Sequence, residues 1–170
     1  MPSFRYAASQ IIIHWLVAAA IFFLLITGTF ILAELPNTPE KIGNLRIHML
    51  VGAVVALLVI TRIVLKRSKP AAPPVKGQAL ARIGHVALNL VVLLLAVSGM
   101  VLALQSGALQ AVFGSGALPA DFMEFTPRIV HGLASKVLIA LVAVHVLAAL
   151  YHQFIVKDRL LARMGLGSKQ

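Results

Sequence analysis

The chain contains no cysteine and only five acidic residues in 170. The first absence excludes disulfides, iron–sulfur clusters, thiolate zinc sites and cysteine nucleophiles together. The second leaves few general acids and few carboxylate metal ligands. Charged residues of both signs make up 12% of the sequence, against about a quarter in an ordinary soluble domain. Aromatic residues are sparse at 6%, with a single tryptophan. What is present is aliphatic: 60% of the residues are hydrophobic and the mean hydropathy is +0.96. Such a composition rules out a water-soluble globule, and it rules out disorder for the same reason. Lys and Arg number 15, for a formal charge of +10. In a soluble protein that excess would suggest nucleic acid. In an apolar chain it is first a signal of membrane topology.

About 20 consecutive apolar residues carry a helix across a bilayer core roughly 30 Å thick. Four runs meet this requirement: 11–33, 47–65 with Arg62 near its end, 83–104, and 129–156 with Lys136 as its only charge. Between them, 34–40 and 70–74 are rich in proline, and 107–127 mixes Gly, Pro and acids, all loop chemistry. The first run is longer than the 7–15 residues of a signal-peptide core and contains His14 and Trp15, so it is read as a mature helix. The expected fold is all-α, an integral membrane four-helix transmembrane bundle forming one domain over 1–170. Lys66, Arg67, Lys69, Lys76 and Arg82 crowd the second connection, Arg5 precedes the first run, and Lys157, Arg159, Arg163 and Lys169 follow the last. The other side has Lys41, Arg46 and Arg128, offset by Glu34, Glu40, Asp121 and Glu124. The positive-inside bias then puts both termini in the cytoplasm, with no nucleic acid as partner.

Polar side chains are costly in a bilayer and mark function by default. Here they are histidines: His14, His48, His85, His131, His145 and His152 all lie in or at the ends of the expected spans. The step of 14 residues from His131 to His145 turns a helix about 40° short of four full turns and advances it about 21 Å. One helix can therefore present an imidazole near each membrane face. The same step relates His14 to Gly28, His48 to Arg62 and His85 to Gly99. A glycine, including Gly52 one turn from His48, lets a flat macrocycle approach the backbone, although small residues are also ordinary packing devices in membranes.

Depth sorts the candidates. His48 and His131 follow Arg46 and Arg128 closely and belong to the outer face, whereas His14 and His145 belong to the inner half. Two imidazoles on opposite sides of one iron make an electron-transfer haem with no open position. Zinc or copper sites want three or four clustered ligands, often with acids or thiolates that this chain lacks. Two b-type haems are the expectation. The outer pair is close to forced; for the inner one His14, His85, His145 and His152 compete. Arg62 is placed either beside inner haem propionates or snorkelling to the headgroups. Lys136 has the same two options at the outer end. Trp15, Tyr6 and Tyr151 sit where interfacial aromatics are expected.

The ordered set Arg5-Tyr6, Gln10 to His14-Trp15, Ile47-His48 with Arg62, Ile83-Gly84-His85, His131-Gly132, and His145 followed by His152 and Lys157-Asp158 spans nearly the whole chain. It resembles the bacterial diheme cytochrome b561 family, in particular its short four-helix members with superoxide:ubiquinone oxidoreductase activity. That resemblance implies an inner-membrane protein holding two haems b, the inner one on His14 and His145 and the outer one on His48 and His131. It implies that electrons from periplasmic superoxide pass to ubiquinone, with His152 and His85 near the cytoplasmic end where a quinone headgroup would be held. Basic residues near the outer haem would steer an anion towards it, and Arg46, Arg128 and Lys136 are the candidates. The four outer acids cancel much of that field unless they point away.

Two rival readings remain. Related cytochrome b subunits anchor hydrogenases or dehydrogenases and relay their electrons to quinone; short loops without a docking extension disfavour this. A haem-free four-helix transporter is disfavoured by the lack of a membrane-embedded carboxylate.

Overall fold

The computed structural model describes residues 5–68 and 78–166. The proline-bearing turn expected at 70–74 lies outside them, as do Lys69, Lys76 and Lys169. Among the described residues every regular element is helical. Helix α1 (Ala8–Thr27) is prolonged by a π-helical turn, Gly28–Leu32. Helices α2 (Pro39–Ser68) and α3 (Gln78–Gln105) follow, then a short α4 (Ala108–Phe113). Helix α5 (Thr126–Tyr151) also ends in a π-helical turn, His152–Val156, and a single turn, α6 (Leu160–Arg163), closes the chain. Four helical segments are long and apolar enough to cross a membrane: Ala8–Leu32, Pro39–Lys66, Ala79–Gln105 and Thr126–Val156.

All four spans begin earlier than hydropathy indicates, at 8, 39, 79 and 126 rather than 11, 47, 83 and 129, and the second and fourth do so at a proline. The cause is local. Pro39 opens α2 and Pro127 lies in the first turn of α5, where a proline's missing N–H costs nothing and its fixed φ suits a helix. Glu40 complements the positive end of the α2 dipole. The polar stretch 34–40 is thus partly the first turn of a helix, and Lys41 and Arg46 ride on α2 rather than in a loop. At the other connection Gly107 takes a left-handed φ of 72°, which lets α3 stop and α4 start at once.

Packing joins α1 to α2, α2 to α3 and, most extensively, α3 to α5. No comparable packing joins α5 back to α1, and an apolar cleft of about 570 Å³ lies between them, lined by residues such as Phe22, Ile26, Val142 and Val146. The buried core takes Val17 from α1, Val55 and Val59 from α2, Val92 from α3 and Leu138 from α5. Three of these sit at the midpoints of the 14-residue steps. Val55 lies midway between His48 and Arg62, Val92 between His85 and Gly99, and Leu138 between His131 and His145. A seven-residue offset is about two helical turns, or roughly 10 Å, so a dry aliphatic layer separates two levels of polar side chains. The outward face carries exposed Leu57, Leu90, Val97 and Leu147, a surface suited to lipid rather than water.

Each end of the bundle is tied by hydrogen bonds. At one end Tyr6 N–H donates to the Arg163 carbonyl at 3.1 Å, and Trp15 Nε1 donates to the Met164 carbonyl at 3.0 Å. The two ends of the described chain therefore meet. At the opposite end Asn37 Nδ2 donates to the Pro119 and Ala120 carbonyls, both at 3.1 Å. There Lys41 Nζ donates to the Leu35 carbonyl and to Asn37 Oδ1 at 2.8 Å each.

Candidate functional site

All six histidines are half-buried. Helix α5 presents His131 and His145 from one face, and each meets an imidazole from another helix. His131 faces His48 of α2 with ring centres 6.3 Å apart and planes 64° apart. His145 faces His14 of α1 at the same 6.3 Å, with planes 61° apart. The first pair lies at the end stitched by Asn37, the second at the end where the termini meet. Imidazole nitrogen binds a first-row transition metal at about 2 Å, which puts the ring centre roughly 3 Å from the ion. Rings on opposite sides of one ion then have centres roughly 6 Å apart, and both pairs have that spacing.

Three further observations bear on what such pairs could hold. Nδ1 of His14 and Nδ1 of His48 are buried with no hydrogen-bond partner, polar atoms that a protein rarely leaves idle without a functional reason. A Cβ on Gly28 would stand 3.3 Å from Cε1 of His48, and a Cβ on Gly99 would stand 3.2 Å from Cε1 of His131. The rings of one pair therefore rest against backbone on helices that contribute no histidine at that level. Finally, among the described residues no three His, Cys, Asp or Glu side chains converge as a bare metal ion requires. A macrocycle that brings its own in-plane nitrogens asks the protein for two axial ligands only. The residues fit that group.

The family model for prokaryotic cytochrome b561 matches residues 5–167. The chain belongs to the prokaryotic cytochrome b561 family. It is a multi-pass membrane cytochrome that binds haem b and transfers electrons. Among curated proteins none matches it significantly.

The remaining polar residues of this cytochrome divide between the two ends. His85 of α3 stands against His145, with ring centres 5.3 Å apart. Arg62 is half-buried at that same end, and its charge is felt by His14, His85 and His145. His152 is held by Asp158, Nδ1 to Oδ2 at 2.6 Å. Asp158 is fixed in turn: its Oδ1 accepts from Leu160 N–H, and its neighbours Lys157 and Arg159 both take left-handed φ values, 59° and 56°.

At the other end, Arg46 donates from Nε to the Val112 carbonyl at 3.0 Å, tying α2 to the end of α4. Arg128 lies near Lys41, close enough for their like charges to interact. Lys136 is exposed, about 140° round α5 from His131 and about 180° from His145. That position on the helix agrees with the snorkelling option for Lys136.

Sequence reasoning missed three residues here. Buried Lys41, which also places its ammonium 5.7 Å from the Phe122 ring centre, was read only as a loop charge. Ser98 contacts Nδ1 of His131 at 3.1 Å; its position beside Gly99 was the available signal. Gln153, whose Oε1 is buried without a partner, carried no signal at all.

Proposed function

We propose that this cytochrome b561 holds two haems b, oxidises superoxide to O2 at the periplasmic face and reduces ubiquinone. His48 and His131 are the axial ligands of the outer haem, His14 and His145 those of the inner one, with both termini in the cytoplasm and the bundle in the inner membrane. The observation that carries this reading is the repeated 6.3 Å separation of two imidazole pairs that share α5. Each haem supplies a one-electron carrier. The overall reaction balances: two superoxide ions each lose one electron to become O2, and one ubiquinone takes up two electrons and two protons.

The protein's own residues support each half. Among the described residues the only ion pair is His152 with Asp158. Lys41, Arg46 and Arg128 form no such pair with Glu34, Glu40, Asp121 or Glu124, and they are the cations that would draw a small anion towards the outer end. Lys136 is read as a lysine snorkelling to the headgroups. The aliphatic layer at Val55, Val92 and Leu138 keeps water from between the two sites. Arg62 offers a guanidinium to inner propionates. His152, anchored by Asp158, and His85 are the imidazoles that would meet a quinone headgroup at the inner end.

The test is a reduced-minus-oxidised spectrum with a haem-to-protein ratio, followed by reduction under a superoxide flux and transfer to a ubiquinone. Two haems per chain are expected, and His131→Ala and His145→Ala should each lose one. Retention of both haems in either variant overturns the ligand assignment. A two-haem protein inert to superoxide, yet reducible through a co-purifying dehydrogenase, would make it a relay subunit instead.

A further inference from the structure

The two ligands of the proposed outer pair are supported differently. Nδ1 of His48 has no partner. Nδ1 of His131 lies 3.1 Å from Oγ of Ser98, and that same Oγ lies 3.2 Å from the carbonyl of Leu95. A hydroxyl has one proton, and the carbonyl can only accept. The Ser98 hydroxyl therefore donates to Leu95 and accepts from His131, which puts the ring proton of His131 on Nδ1 and leaves the lone pair on Nε2. Ser98 is 5% exposed, so water does not compete for these bonds. The next residue along α3 is Gly99, whose missing side chain makes room for Cε1 of the same ring.

We propose that Ser98 is a positioning residue for the outer haem: it fixes the tautomer and ring orientation of His131, and so sets the affinity and potential of that haem independently of the inner one. This rests on His131 being an outer axial ligand. An acceptor at the distal ring nitrogen raises the basicity of an imidazole ligand, and loss of such a partner typically costs about 10–100-fold in metal affinity. A more basic ligand favours the ferric state, so removing the acceptor raises the midpoint potential. His48, lacking an acceptor, has no such device to lose.

The experiment uses the detergent-solubilised holoprotein and its Ser98→Ala and Ser98→Thr variants. Each is compared by redox titration resolving the two haems, by the low-spin ferric electron paramagnetic resonance signals, and by the rate of haem loss to an apo-globin acceptor. Ser98→Ala should lose its outer haem roughly tenfold faster and raise the potential of that haem alone. Ser98→Thr, which keeps the hydroxyl, should restore both, and the unshifted inner haem reports that the bundle is folded. If Ser98→Ala leaves both haems unchanged, or shifts both alike, the proposal is overturned. His131→Ala separates the two ideas. If it loses the outer haem while Ser98→Ala is silent, only the role of Ser98 fails; if it keeps both haems, the ligand assignment fails with it.

Discussion

Gly28, the first residue of the π-helical turn after α1, lies against His48 of α2, so closely that a Cβ on the glycine would stand 3.3 Å from the imidazole Cε1. Gly99 of α3 makes the corresponding approach to His131, at 3.2 Å. These glycines follow His14 and His85 by 14 residues on their own helices, yet each serves the imidazole of a neighbouring helix. An alanine methyl would need the ring to give by only a few tenths of an ångström. A branched side chain has no such room. Gly28→Val and Gly99→Val should therefore lose most of the outer haem and keep the inner one, moving the haem-to-protein ratio from two towards one. The alanine variants should keep both haems. Pyridine haemochrome quantification checks this, and full loading of both valine variants would show that the close approach is incidental.

At the other end, Arg62 places a positive charge beside three histidines. A nearby cation favours the less positive, ferrous state of a haem. Arg62→Leu should lower the midpoint potential of the inner haem by on the order of 50 mV, equivalent to about 1.2 kcal/mol for one electron. The His48–His131 pair lies about 21 Å away along the bundle, and a haem held there should not move. Potentiometric titration with both components resolved is the measurement.

Asp158 is held between two left-handed residues and grips Nδ1 of His152 at 2.6 Å. If His152 meets the quinone, that grip orients its other ring nitrogen. Asp158→Asn should then slow quinol formation roughly tenfold while leaving the haem content and spectrum unchanged. Unaltered rates in both Asp158→Asn and His152→Ala would remove His152 from the quinone site.

The absence of cysteine makes the orientation directly measurable. Ser115 and Arg82 are both exposed and lie at opposite ends of the bundle. With the termini in the cytoplasm, Ser115→Cys in intact spheroplasts should react with a membrane-impermeant maleimide, and Arg82→Cys should react only after lysis. The reverse pattern would invert the bundle and place the superoxide reaction on the wrong side.

Much of this architecture is legible in the residues alone. Hydropathy counts the spans because a bilayer tolerates only backbone whose hydrogen bonds are satisfied internally. A period of about 100° per residue puts His131 and His145 on one face of α5 and, applied to Lys136, already turns that side chain away from both. Span ends were less legible: a hydropathy run stops at the first charges, whereas α2 starts at Pro39 on helix-initiating chemistry.

The number of helices, the histidines as the working side chains and the two levels at which they lie follow from length, hydropathy and helical period, all properties of one segment at a time. Which imidazole faces His145 is a different kind of fact. It depends on how α1, α2 and α3 are rotated and spaced around α5, and side-chain packing across helices sets that rotation. The same packing brought Gly28 to His48, and Gly99 and Ser98 to His131. No single helix carries those contacts in its own periodicity.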